Sequence, residues 1–254
     1  MAPTRVDVPA RTRSPDGETA AYVLPRAGLL VDPGGRTDAL DTALAEAGVG
    51  HVAVTHHHPD HVGALAACAA DHDLTVWARA GREDAFAAAT GRRPDRTFRP
   101  GDTLPGGVGV LDTPGHAPEH VAFAAGEALL TGDLAVAEGS VVVGAPEGDV
   151  RAYLTSLRRV RAMSPERLLP AHGPAIEDPA AACERLLAHR LAREARVRAA
   201  VEAGARSLDA VLAAAYDKDL EGLRDLARAT VRAHLAKLAH EGAVTWDGEH
   251  ARPA

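Results

Sequence analysis

The sequence predicts an α/β protein with two sheets, helices outside them, and a helical C-terminal part. Three observations predict it. Strand-like and helix-like stretches alternate over residues 20–90. Short apolar stretches broken by Gly and Pro fill residues 97–143. From Pro174 the texture changes to Ala, Arg and Leu at helical density. Alternation followed by a β-rich half is the pattern of sheets covered by helices.

The elements follow in order. "AAYVLPRAGLLVDPGG" (20–35) reads as two short strands and a glycine turn. "TDALDTALAEAG" (37–48) starts at a candidate N-cap and stops at Gly48, which marks a helix. "HVAV" (51–54) is apolar and β-branched, a buried strand, and a helix over 60–70 follows it. "LTVWARA" (74–80) is a strand and "REDAFAAAT" (82–90) a helix. "GVGVLDTPG", "HVAFAAG", "EALLTGD" and "GSVVVG" each read as a short strand. "DVRAYLTSLRRVRAM" (149–163) has apolar residues at helical spacing, and "RLLPAHG" (167–173) is a last strand ending in a histidine turn. One long helix covers 179–203. Ser207 caps "LDAVLAAAYD", a second helix follows from Leu220, and "AVTWDGEHARPA" gives a strand with an Asp-Gly turn. Helix, helix and hairpin make the outline of a winged helix.

Composition removes several classes. The chain has 254 residues, 46% of them apolar and 3% aromatic, so its core is built from Ala, Val and Leu. With 35 acidic against 28 basic residues, a net charge of −7 gives no general attraction to nucleic acid or anionic membrane. No apolar run reaches the ~18 residues of a membrane span, and no signal-peptide core opens the chain, so the expectation is a cytoplasmic protein. Cys68 and Cys183 lie in alanine-rich helical stretches and read as small buried hydrophobes.

The chemistry concentrates in four short motifs. "THHHPDH" carries His56, His58, Asp60 and His61, directly after a strand and before a helix. "TPGHAPEH" carries His116, "LLTGDL" carries Asp133, and "LLPAHGP" carries His172. The last three each sit at a strand end in a glycine-containing turn, where a rigid sheet can aim loops at one point. Five imidazoles and two carboxylates suit zinc, with manganese or iron as alternatives. Seven donors exceed the four of one structural zinc and suit two ions sharing a bridging group. No cysteine takes part.

These motifs, in this order, resemble those of the metallo-β-lactamase superfamily of dinuclear hydrolases over roughly residues 20–175. The resemblance implies a four-layer αβ/βα sandwich with the metals at one edge. It implies that His56, His58 and His116 bind a first metal, Asp60, His61 and His172 a second, and that Asp133 bridges them. "APEGDVRAYLTSLRRV", "AHRLARE" and the winged-helix-like tail resemble the β-lactamase-like-protein-2 group of that superfamily, in which a mitochondrial relative cleaves single-stranded RNA. The tail departs from that of glyoxalase II, which argues against a glutathione-specific site. The implied organisation is a hydrolase domain over 1–175, a connecting helix over 176–205 and a winged-helix-like domain over 206–254.

The expected chemistry is hydrolysis of an ester, thioester or similar small-molecule bond by a hydroxide bridging two divalent ions, with Asp60 orienting the nucleophile and shuttling a proton. A single-strand-specific endoribonuclease or phosphodiesterase is one alternative. A nucleic-acid-binding regulator acting through the winged helix is another. Residues 206–254 hold seven basic and eight acidic side chains, which weakens a DNA-reading face. Asp32 and His120 are candidates to orient metal ligands from behind, Tyr22 to line the substrate mouth, and Arg190 to face an anionic group. Arg190, Arg193, Arg196 and Arg198 together read as a solvated helix face. His57 alternates with the ligands and points elsewhere, and His234 reads as a surface or satisfied histidine. A homodimer through the helical C-terminus is the oligomer expectation.

Overall fold

The structure is a computed structural model and describes residues 2–14, 16–217 and 219–254. It contains two compact units. The first is Met1–Asp112, Glu119–Glu138 and Pro165–Asp178; the second is Thr113–Pro118, Gly139–Ser164 and Pro179–Ala254.

The first unit is built on two sheets. One has the strand order β1 (Thr4–Pro9), β2 (Glu18–Leu24), β3 (Leu29–Val31), β4 (His51–Ala53), β5 (Thr75–Arg79), β6 (Arg96–Phe98). The other runs β11 (Arg167–Pro170), β10 (Ala128–Gly132), β9 (Val121–Ala125), β8 (Val108–Asp112), β7 (Thr103–Leu104). Alternation along the strands makes both faces of the first sheet apolar. Tyr22, Leu29, Val31 and Phe98 point to Val108, Val121, Phe123 and Leu130 of the second sheet and close a core between them. Ala21, Val23, Leu30 and Val52 point the other way, onto Leu40, Leu44, Leu65, Cys68 and Phe86 of the helices. Those helices are α1 (Asp38–Ala47), α2 (Pro59–Val62), α3 (Leu65–Asp71) and α4 (Glu83–Thr90). Thr37 caps α1 by accepting from Leu40 N at 3.2 Å, and Gly48 ends it in the left-handed conformation, as their residue types predict.

Three sequence expectations change here. The edge strand β1 goes unread, because "TRVDVP" offers only two apolar side chains to a periodicity argument. The helix expected over 60–70 is two helices. Gly63 lies so near Gly34 that a Cβ there would stand 2.4 Å from its carbonyl, and Ala64 N donates to Pro33 O at 2.9 Å rather than extending α2. "GSVVVG" is no strand. Its carbonyls are taken by side chains of the second unit, Val141 O by Arg190 and Val142 O by His116.

The second unit carries α5 (Val150–Met163), α6 (Pro179–Glu202), α7 (Leu208–Ala215), α8 (Arg224–His240) and the hairpin β12 (Val244–Trp246), β13 (Ala251–Pro253). Asp149 caps α5 through Arg151 N and Ala152 N, and Ser207 caps α7. Val197, Val201, Val211, Leu212, Val231 and Leu235 make a separate core that Val244 and Ala251 complete from the hairpin. The arginine face of α6 is not solvated throughout. Arg190 and Arg193 are 3% and 6% exposed, while Arg196 and Arg198 face solvent. Both cysteines are buried and free, as expected. Among the described residues no helix is long and apolar enough to cross a membrane.

Candidate metal centre

The first unit gathers its ligand candidates at the end of the sandwich where β4, β10 and β11 stop. His56, His58, Asp60 and His61 follow β4, Asp133 follows β10, and His172 follows β11. Their donor atoms form two overlapping groups, His56–His61–Asp133 and Asp60–His61–His172, each with all atoms within 4.8 Å of one another. His61 Nε2 lies 3.6 Å from Asp133 Oδ1 and 4.0 Å from Asp60 Oδ1. His172 Nε2 lies 3.4 Å from Asp133 Oδ1 and 3.5 Å from Asp60 Oδ2. His56 Nε2 and His58 Nδ1 face each other at 3.0 Å.

Hydrogen bonds behind the rings fix which nitrogen carries the lone pair. Asp32 Oδ1 accepts from Thr55 N at 2.7 Å, and its Oδ2 accepts from Thr55 Oγ1 at 2.8 Å and from His61 Nδ1 at 3.0 Å. Because the Thr55 hydroxyl spends its proton on Asp32, it accepts from His56 Nδ1, 3.1 Å away. His172 Nδ1 donates to Glu18 O at 2.9 Å. All three rings therefore present Nε2 inward with its lone pair exposed to the cluster. Asp32 holds φ at 53°, rare for a residue with a side chain, and its three accepted bonds keep it there.

The turns are held as firmly as the rings. Gly132, at φ 47°, lets the end of β10 press on Thr55 and His120; a Cβ would sit 2.5 Å from Thr55 Oγ1 and 2.9 Å from His120 Nε2. His120 Nε2 accepts from Asp133 N at 3.2 Å and so orients the carboxylate that follows. Tyr22 is buried and donates to Pro170 O at 2.7 Å; it anchors the approach to His172 and does not line an opening. Arg5 of the unread strand β1 donates to Gly173 O at 2.5 Å, and Glu119 accepts from His57 N at 3.3 Å. Arg5 lies in no motif, and Glu119, although inside "TPGHAPEH", has no spacing that singles it out. His116 and Arg190 belong to the second unit, where His116 Nδ1 donates to Val142 O at 2.7 Å.

The donor set fits a divalent cation. His61 Nε2 is buried and has no hydrogen-bond partner among the described residues, a costly state that a cation facing its lone pair would relieve. Burial opposes a charge on His61, but Asp32 and Asp133 outweigh it and hold its pKa well above the ordinary value. Burial also works against His172, and the bond to Asp60 together with Asp133 again raises it. Burial pushes Asp60 up, yet His172 and His61 keep it below the usual carboxylate range.

A stability prediction follows from the two histidines. A raised folded pKa means that the folded protein binds the proton more tightly than the unfolded chain, whose histidines titrate near about 6.5. That stability is complete below about pH 6.5 and is lost as pH rises through the folded values. The metal-free protein is therefore expected to melt at a lower temperature at pH 9 than at pH 6. Metal requires the deprotonated rings, so loading it reverses the trend. Melting curves of chelated and loaded protein at both pH values check this; a flat profile for the chelated protein would contradict the proton sharing described.

A groove of about 750 Å³ opens at the other end of the same unit, by Ala27, Val108, Ala128 and Leu169. No residue of the cluster lines it, and the chemistry is assigned to the cluster.

Residues 15–172 match the family described as the metallo-beta-lactamase superfamily. A beta-lactamase-like protein 2 homolog of Drosophila melanogaster is 31% identical over 211 residues, 78% of this chain and 70% of that one. Thioesterase pkgB of Emericella nidulans is 32% identical over 59% of this chain, and a hydroxyacylglutathione hydrolase of Alkalilimnicola ehrlichii is 35% identical over 48%. The match spans 42% of the thioesterase and 48% of the hydrolase, less than half of either. Among solved structures, a metallo-beta-lactamase family protein of Thermus thermophilus superposes with a TM-score of 0.76 at 26% identity, covering 98% of both chains. TTHA1623 in a di-iron-bound form superposes with a TM-score of 0.55 at 29% identity, over 70% of this chain and 94% of that one.

Proposed function

Because the chain belongs to the metallo-β-lactamase superfamily, we propose that it is a dinuclear hydrolase acting on an ester, thioester or similar small-molecule bond. One observation carries the reading. Asp133 groups with His56, assigned below to a first ion, and with His61, assigned to a second, all three donor atoms lying within 4.8 Å of one another, which supports a carboxylate shared by two ions. In this proposal His56, His58 and His116 would hold a first ion and Asp60, His61 and His172 a second, with Asp133 available to both. Zinc is the first expectation from imidazole and carboxylate donors, and the di-iron form of TTHA1623 supports iron as the alternative.

Two such ions supply a water acidic enough to ionise near neutral pH and a clamp for the substrate oxygen. The protein's own residues do the rest. Asp32, Thr55 and Glu18 keep the rings in the tautomer that offers Nε2. Asp60, kept ionised beside His172, accepts the proton of the nucleophile and returns it to the leaving group. The named thioesterase and hydroxyacylglutathione hydrolase relatives support a carbonyl substrate. The burial of Arg190 and Arg193 removes two cations from the surface that an RNA backbone would need, which favours the small molecule. The order of α7, α8 and the β12–β13 hairpin supports a winged-helix-like reading of residues 206–254, proposed here as a cleft wall or oligomer contact.

Metal content and three probes test the proposal: a thioester, a phosphodiester and single-stranded RNA. The expected result is about two ions per chain and cleavage of the thioester, both lowered in His116→Ala. Cleavage of RNA alone would transfer the site to the endoribonuclease reading. A chain that binds no added zinc, manganese or iron would overturn the metal centre.

A further inference from the structure

The turn that carries His116 packs on α5 of the second unit. Gly115 lies flat on α5, so close that a Cβ would stand 2.3 Å from Tyr153 Cα, and Asp149 N donates to Gly115 O at 2.8 Å. The imidazole donates from Nδ1 to Val142 O at 2.7 Å. That carbonyl lies in an irregular stretch with no ladder to fix it. The stretch on either side of it is held from two helices. Arg190 of α6 donates through Nη2 to Val141 O, and Ala229 of α8 accepts from Ala145 N at 3.0 Å. Arg190 is 3% exposed, its guanidinium 5.5 Å from the centre of the Tyr153 ring, and no carboxylate among the described residues pairs with it. A buried, unpaired guanidinium is expensive. Packing alone would be served as well by an apolar side chain of the same length.

We propose that Arg190 is a positioning residue for the metal ligand His116. It clamps the Val141 carbonyl from α6, and the adjacent carbonyl, of Val142, keeps the imidazole proton on Nδ1 and the lone pair on Nε2. The C-terminal helices would then set the affinity of the first metal position while supplying no ligand of their own. This inference rests on the metal-ligand reading of His116 given above.

The test is chelator competition on the full-length, metal-loaded protein, with cobalt absorption spectra as a second readout. Arg190→Met is expected to weaken one of the two ions by about tenfold to hundredfold, the usual effect of removing support behind a ligand, and to leave the other unchanged. It should thus move toward the one-ion state of His116→Ala. Arg193→Met removes a neighbouring buried arginine that bonds Ala215 O, 2.8 Å away, and not the stretch beside His116; it should keep both ions. Wild-type affinity in Arg190→Met, or equal loss in both variants, would overturn the inference. If the methionine variant does not fold, Arg190→Lys decides. Its ammonium cannot span Val141 O and the Tyr153 ring together, so about threefold or greater weakening of one ion is expected, and wild-type affinity overturns the inference. A wild-type protein without metal, or His116→Ala with both ions retained, would instead overturn the metal reading itself.

Discussion

Asp60→Asn is expected to lower turnover by about 10²- to 10⁴-fold, the range that a positioned acid–base group supplies. Asp60 follows Pro59 at the start of α2 and points its two oxygens at different rings, Oδ1 toward His61 and Oδ2 toward His172. Those contacts hold it ionised against burial, the state a proton acceptor needs. The amide keeps the shape but accepts no proton at working pH. It also weakens the donor to the second ion, so metal content must be measured on the same sample. Loss of turnover with both ions retained assigns the proton transfer to Asp60. Loss of turnover in step with loss of an ion restricts it to ligation. A variant that keeps both ions and more than a tenth of the turnover would refute the proton-carrier role.

Asp32→Ala is expected to cost about 3–5 kcal/mol of stability, because it strands a buried imidazole N–H and a buried backbone N–H together. Asp32 is 2% exposed, and its carboxylate accepts from Thr55 N, Thr55 Oγ1 and His61 Nδ1. For a chain of this size the loss corresponds to a fall in melting temperature of roughly 6–20 °C. Asp32→Asn separates support from tautomer. Its carbonyl oxygen can still accept from Thr55 N, while its amide nitrogen donates where Oδ2 accepted. His61 Nδ1 then becomes the acceptor and Nε2 takes the proton. The asparagine variant should fold nearly as well as the wild type yet bind metal about tenfold or more weakly. Wild-type metal affinity in Asp32→Asn would show that the carboxylate does not set the His61 tautomer.

Much of this was legible in the chain alone. Four histidines and an aspartate in seven residues, and three more candidate donors each placed by a strand and a glycine turn, point to a metal site because few other tasks need those side chains at those turns. The ends of α1 at Thr37 and Gly48 and the end of α4 at Gly91 follow from cap and glycine signals that act within a few residues. The membership of the superfamily follows from the order of the motifs and agrees with the match over residues 15–172.

Tertiary structure decided the rest, because the rest depends on partners distant in sequence. Asp32 becomes the support of His61 only when β3 and β4 lie side by side. "GSVVVG" has the composition of a strand, yet its carbonyls meet Arg190 and His116 before any neighbouring strand, and it stays irregular. Arg190 and Arg196 occupy one helix and look alike in a charge run, but only the fold buries the first and leaves the second in solvent. Composition and local spacing determine which atoms are available for chemistry. Long-range packing determines which of them are desolvated and which nitrogen carries the proton.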